Sequence, residues 1–235
     1  MRVLELRNYL LKEGRTGDFI RFFEETFLFS QREEGMSVLG QFAVVAEPDR
    51  FVWIRAFESM ETRRYGLGSF YGGPAWKAHG PTANGMMLEF HNVHLLRPLA
   101  PIADLTGGLS LEDRAAEPAG ALPPHTGLVA VDFHRSEPGG LDRRVELFER
   151  SLWPALVEQG AQVLGHFVAE LAPNDYPGLP VYQEADLLVV FSAYRDREHH
   201  AALNAALPAT DVETMLLRPT ARSVIRYSPP SRPRP

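Results

Sequence analysis

One tetrapeptide pattern occurs twice, and the spacing of its copies constrains the fold more than any other feature of this chain. Leu39-Gly40-Gln41-Phe42 returns as Leu164-Gly165-His166-Phe167, 125 residues further on. At the same shift Gly14 falls on Gly139, Ile20 on Val145, Phe23 on Phe148 and Phe27 on Leu152. Leu95-Leu96-Arg97-Pro98 also returns, as Leu216-Leu217-Arg218-Pro219, with the shift now 121. Two copies of one supersecondary unit predict an internal pseudo-dimer of two domains of about 100 residues each. Function then lies within the copies or between them.

Each copy reads as the same order of elements. Residues 2–9 alternate, with Leu4 and Leu6 on one face and Val3, Glu5, Arg7 and Tyr9 on the other, the period of a strand. Gly14 and Gly17 break it, Thr16 or Asp18 is placed to cap a helix, and Phe19, Ile20, Phe22, Phe23 and Phe27 form its apolar stripe. Strands follow at Met36–Ala46 and Phe51–Phe57, joined by a turn at Glu47-Pro48-Asp49-Arg50. A second helix over Met60–Tyr71 stops at Gly72-Gly73-Pro74, and a fourth strand covers Met86–Leu96. The second copy repeats this with strands at Leu128–His134, Val163–Leu171, Leu187–Tyr194 and Glu213–Tyr227, and helices at Leu141–Glu158 and Glu198–Ala206.

The order β-α-β-β-α-β is the ferredoxin-like split motif, so the expected class is α+β with two tandem ferredoxin-like domains. They occupy residues 1–98 and 127–228, with a linker at 99–126 and a disordered Arg/Pro tail at 229–235. A hairpin insertion, Pro173–Ala185, distinguishes the second copy. A four-stranded sheet with helices on one face leaves the other face bare, and two copies cover it mutually.

Composition excludes several function classes. A net charge of −6 argues against nucleic acid as a partner. With no cysteine, disulfides and thiolate metal sites are ruled out. The chain has no apolar run near the 18 or so residues that span a bilayer, so a membrane partner is not expected. Arg2, Glu5, Arg7 and Lys12 interrupt the first apolar stretch, unlike a signal peptide, and a cytoplasmic location is expected. Gly66-x-Gly68 lacks the third glycine of a dinucleotide fingerprint, and no Gly-x-Ser-x-Gly elbow is present. His91 and His94, three apart on a strand, point to opposite faces, so no metal site is expected there.

The candidate chemistry sits on the strands. If the aliphatic faces cover their own helices, Glu5, Arg7, Tyr9, Trp53 and Arg55 face the space between the sheets. Their first-strand counterparts are Ala130, Asp132 and His134, and the third strand of copy two is apolar from Leu187 to Phe191. Convergent polar groups against an apolar wall suit a small-molecule site. The competing reading is a structural bridge in which Glu5 pairs with Arg7 or Arg55. Tyr71, Trp76 and His79, in the loop region after the second helix, either rim a pocket or plug the end of the core.

Val3-Leu4-Glu5-Leu6-Arg7-Asn8-Tyr9 with Gly14, Phe51-Val52-Trp53-Ile54-Arg55-Ala56-Phe57 with Met60-Glu61 and Arg63, and Phe70-Tyr71-Gly72-Gly73-Pro74-Ala75-Trp76-Lys77-Ala78-His79 resemble segments of the NIPSNAP family. Asn84 through Val93 and the following Leu95-Leu96-Arg97-Pro98 fit as well, and the second copy matches more loosely. The resemblance implies a dimeric α/β barrel made within one chain, in a superfamily that includes cofactor-free monooxygenases, isomerases, haem proteins and members with no assigned activity. On that reading the protein is a cofactor-independent monooxygenase or isomerase/cyclase acting on an apolar aromatic or polyketide-like molecule, with no bound cofactor. A base would come from His134, His91 or His79, and oxyanion support from Arg55, Arg7, Asn92 or Tyr9. Trp53 and Trp76 would supply apolar walls. The alternative is a non-catalytic module that binds a small ligand or a partner protein. A homodimer of the whole chain is compatible with either.

Overall fold

In the computed structural model, which describes residues 1–206 and 212–228, the alternating stretches become eight strands. They are β1 (Val3–Leu11), β2 (Ser37–Val44), β3 (Arg50–Phe57), β4 (Met87–Pro98), β5 (Leu128–Arg135), β6 (Gln162–Ala169), β7 (Leu187–Tyr194) and β8 (Glu213–Pro219). They close into one barrel in the order β1-β3-β2-β8-β5-β7-β6-β4. Each half contributes four neighbouring strands, and closure removes the free edges that each sheet would otherwise expose.

The two repeated motifs make the two seams. Phe42 pairs with Pro219 and Ala43 with Arg218 where β2 meets β8. Phe167 pairs with Pro98 and Val168 with Arg97 where β6 meets β4. Each copy of one motif therefore joins the other half's copy of the second. The glycine in each tetrapeptide lies at a register shift in its strand. A Cβ on Gly40 would lie 2.5 Å from the Phe42 ring, and one on Gly165 3.2 Å from the Phe167 ring. Both rings fill the barrel interior, so the glycines make room for them. A second repeated device closes the loop after the first strand of each half. Gly14 and Gly139, at φ +72° and +77°, donate their N–H to Asp49 and Asp186 at 2.9 and 2.8 Å.

Leu4, Leu6, Val52, Ile54 and Ala56 point into the barrel and form one core with Val129, Val131, Phe133, Val189 and Phe191. The aliphatic strand faces thus pack against each other, not against the helices. Glu5, Arg7, Tyr9, Trp53 and Arg55 consequently lie under the first half's helices and not between the sheets as the sequence suggested. An eight-stranded barrel has a narrow interior that small branched side chains fill, whereas the sheet–helix layer has room for aromatic rings and guanidinium groups.

That layer in the first half is covered by α1 (Thr16–Thr26), α2 (Leu28–Glu33), α3 (Met60–Gly72) and α4 (Pro74–Met86). Ser59 and Thr62 form a capping box at the start of α3, and Pro74 starts α4 at a position where its missing N–H is harmless. The segment after Gly72-Gly73, expected as a loop, is therefore a helix. The 99–126 segment carries α5 (Ile102–Thr106) and buries Ile102, Leu105 and Leu111. In the second half the stretch Leu141–Glu158 is α6 (Leu141–Leu147), a π-helical turn (Phe148–Leu152) and α7 (Trp153–Glu158) rather than one regular helix. Between β7 and β8 the described residues hold a single helix, α8 (Arg197–Ala206), where the first half has two. The last strand ends at Pro219, earlier than the alternation predicts, because Thr220–Ile225 turns back to pack Ala221, Val224 and Ile225 into the core. The tail at 229–235 lies outside the described residues. No helix among those residues is long and apolar enough to cross a membrane.

The insertion of the second half reaches across to the first. Tyr182 bonds the backbone of Val93 and Leu95 at 2.7 and 3.1 Å, and Tyr176 stacks on Tyr71 with ring centroids 6.2 Å apart.

Candidate functional site

Strand register sets the polar cluster of the first half. Glu5 lies directly opposite Arg55, and Arg7 opposite Trp53. The Glu5 carboxylate accepts from Arg7 Nη1 at 2.7 Å, Arg55 Nε at 2.8 Å and Arg63 Nε at 2.7 Å, with Arg63 delivered by α3. All four side chains are buried. Burial by itself would raise the Glu5 pKa, but Arg55, Arg7 and Arg63 together hold it far below the usual carboxylate range. One carboxylate cannot balance three guanidinium groups; some of the remaining donors have other partners, while Arg63 Nη2 is buried without one. Arg63 Nη1 reaches Asp175 at 3.0 Å and Asn174 at 3.1 Å, both from the insertion. Arg55 Nη1 donates to Gln31 at 2.8 Å, and Arg7 Nε to the Tyr9 hydroxyl at 2.8 Å. The Trp53 indole lies between Arg7 and Arg55, whose guanidinium carbons stand 5.3 and 5.0 Å from its ring centre.

Above this network is a chamber of about 30 Å³, the share of one water molecule, walled by Tyr9, Phe23, Phe27, Trp53, Tyr71 and Trp76 among others. Neither a carboxylate nor an imidazole lines it. The Trp53 Nε1–H has no hydrogen-bond partner, and Gln41, directly across from Trp53, has both amide atoms unpartnered.

The equivalent surface of the second half carries different groups. Asp132 and His166 flank Val190 on adjacent strands of the helix-facing side. The only side-chain partner of Asp132 among the described residues is Thr214, which donates at 2.6 Å. Burial pushes the Asp132 pKa up to about 6. His134 follows two residues on, and burial, aided by nearby Arg144, lowers its pKa to about 4. The Phe148 ring, at the start of the π turn, lies 6.3 Å from the His134 ring and 5.4 Å from that of His166. His166 Nε2 meets Glu149 at 2.8 Å while its Nδ1 is buried without a partner. Burial also raises the Tyr194 hydroxyl to about 12, and Ser192 donates to it at 3.0 Å.

The structure gathers Arg7, Tyr9, Trp53, Arg55, Tyr71 and Trp76 in the first half's sheet–helix layer. It does not bring the remaining candidates to them. His134 lies under the helices of the other half. His79 is an exposed residue of α4, its ring 6.2 Å from Phe22, and His91 is exposed beside Phe90. Asn92 pairs with Asn8 on the barrel-interior side of β4. Glu5 does form a bridge, with Arg7 and Arg55 together, but under its own helices. Arg63, Gln31, Asp132 and His166 escaped the reading of site residues. His166 had a signal, since it is the one residue that differs between the two tetrapeptides, where the first copy has Gln41. Arg63 had none apart from the family resemblance, because its partner is 58 residues away.

No family model matches the chain, and no curated protein is detectably similar to it in sequence. Solved structures are similar in fold. A protein from Lactobacillus acidophilus described as a "putative monooxygenase" aligns with 96% of this chain and 99% of its own, at TM-score 0.57 and 10% identity. One from Fusobacterium nucleatum, described likewise, aligns over 93% and 92%, at TM-score 0.58 and 8% identity. A NIPSNAP family protein of unknown function from Agrobacterium tumefaciens matches 43% of this chain and 92% of its own, at 20% identity and TM-score 0.40. The first two likenesses span both halves, and together with the strand order they establish the architecture. The chain is a tandem dimeric α/β-barrel protein, two ferredoxin-like halves closed into one eight-stranded barrel within a single polypeptide.

Proposed function

We propose that the protein is a cofactor-independent small-molecule enzyme that moves a proton on an enolisable aromatic compound, and that the second half does the chemistry. One observation carries this reading. A carboxyl group with a raised pKa and a neutral imidazole stand two residues apart on one strand face, neither of them in an ion pair. Such side chains are roughly 7 Å apart. That suits a ligand whose acidic C–H and carbonyl oxygen are neighbours, with a contact of about 3 Å on each side. Asp132 is the stronger base of the two at neutral pH, and it takes the proton as the C–H bond breaks. The electron pair moves into the new C=C bond, and the enolate oxygen accepts a hydrogen bond from neutral His134. Where a further C=C bond is conjugated with the enolate, return of the proton to its far carbon shifts the double bond and completes an isomerisation. Phe148 and Val190 supply apolar walls. His134 thus keeps a catalytic place as donor, since an imidazole with a pKa near 4 is a weak base. A cysteine-free composition supports a cytoplasmic setting, and the ligand is a small molecule.

The test is deuterium uptake from D₂O into a panel of enolisable aromatic ketones, beginning with 2-tetralone, followed by NMR at pH 7. Asp132→Asn and His134→Gln are each expected to lower the enzyme's rate by about 10²-fold or more. Oxygen consumption during the same reaction would mark an oxygenase, and exchange without it an isomerase. Unchanged rates in both variants would reject the assignment.

A second reading, favoured by the unpartnered Trp53 and Gln41 groups, makes the first half a binding site for a small aromatic ligand. The chamber must then widen by movement of half-buried Tyr71 and Trp76. Quenching of tryptophan fluorescence by 1-naphthol, lost in Trp53→Phe, would support it.

A further inference from the structure

A cavity of about 470 Å³ lies over the β2–β8 seam, away from both clusters described above. Its apolar lining includes Ala43, Val44 and Leu128, and its polar lining includes Arg195, Arg197 and Arg218. Concentrating three guanidinium groups runs against the trend of a chain with net charge −6. Arg195 donates to Asp196 at 2.8 Å, and Asp196 also caps α8 through the His199 N–H. Arg197 and Arg218 have no acidic partner among the described residues. The first turn of α1 also lines the cavity; its N-cap is Arg15, which has no side-chain oxygen to cap it, and Thr16 donates its hydroxyl to the Pro48 carbonyl.

The duplication supplies an internal control. Register places Glu58 and Met60 at the positions of Arg195 and Arg197 in the first half. Only Arg218 has a basic counterpart, Arg97. The scaffold therefore closes its other seam without a basic trio, and the trio is not required for folding. A cavity of this size with an apolar floor and a basic rim matches one ligand chemistry. We propose that it binds an amphiphilic anion, a carboxylate or phosphate head on an apolar body, with the head on Arg197 and Arg218 and the body along Val44 and Leu128.

Calorimetric titration at low salt tests this with octanoate and octyl phosphate, and with octanol and inorganic phosphate as the body and the head alone. Octanoate or octyl phosphate is expected to bind at least tenfold more tightly than either fragment, and the tighter of the two names the head group. The double variant Arg197→Gln/Arg218→Gln, both side chains being exposed, is expected to fold normally by circular dichroism and to bind at least tenfold more weakly. Arg150→Gln, on the π turn, should bind as the parent does. Octanol binding as tightly as octanoate, unchanged affinity in the double variant, or no binding by either anionic probe would overturn the proposal.

Discussion

Three positions on the first strand of each half hold Glu5, Arg7 and Tyr9 in one copy and Ala130, Asp132 and His134 in the other. Both sets lie between sheet and helices, on scaffolds that match strand for strand. In the first half the carboxylate is bound by three guanidinium groups, and α4 and the insertion complete the cover. In the second half the third-strand position of Arg55 is taken by Ser192, and Asp132 keeps one neutral partner. The same surface is thus a closed ionic lock in one copy and a set of loosely partnered titratable groups in the other. Duplication permits this division, because a rigid half can stabilise a barrel whose other half carries groups at a cost in stability.

The comparison breaks most sharply at Glu5. Glu5→Gln leaves buried Arg7 and Arg55 without an anion and Arg63 with Asp175 alone, and a loss of about 3–5 kcal/mol in urea unfolding is expected. That is a large share of the total stability of a typical domain. Asp132→Asn should have the opposite sign. Its raised pKa means that stability is fully present below pH 4 and lost as pH rises through about 6. The asparagine variant should therefore be more stable than the parent at pH 8 and close to it at pH 3.5. An equal loss in both variants would show that the halves do not differ in this way.

At the seams the difference is steric. Gly40→Ala is expected to destabilise by about 1–3 kcal/mol, and Gly165→Ala by less, since the added Cβ meets Phe42 at 2.5 Å but Phe167 at 3.2 Å. Thermal midpoints of the two variants would rank them. His134 produces a smaller, pH-dependent signal. With its pKa lowered to about 4, stability present above pH 6.5 is lost as pH falls towards 4, and His134→Gln should flatten the profile in that window. The smallest effect is expected from Trp53→Phe, which removes an unpartnered buried N–H and keeps most of the ring. A change within about 1 kcal/mol either way, read from the urea midpoint, would separate it from the ionic lock beneath.

Much of this architecture was legible in the residues. Alternation located seven of the eight strands to within a few positions and the start of the eighth, which ends at Pro219 and not at Tyr227, and the two repeated motifs identified the pseudo-dimer. Helix α4 was missed because Gly72-Gly73-Pro74 reads as a break, although a proline is well placed as the first residue of a new helix. Glu5, Arg7, Tyr9, Trp53 and Arg55 were correctly grouped on one face, since residues two apart on a strand share a side. His134 was grouped with them wrongly, because the two sheets were expected to face each other through their polar sides.

The order of elements, the duplication and the sharing of strand faces follow from the sequence alone, because each is a matter of local periodicity and of residues that repeat at a fixed distance. Which face turns inward was decided by tertiary structure. Both faces of β1, β3 and β7 are covered, one by the opposite strands and one by helices, so hydropathy alone does not distinguish them. The width of the space on each side does. Branched aliphatic side chains fit the narrow barrel, and the arginines and aromatic rings were left to the roomier layer beneath the helices.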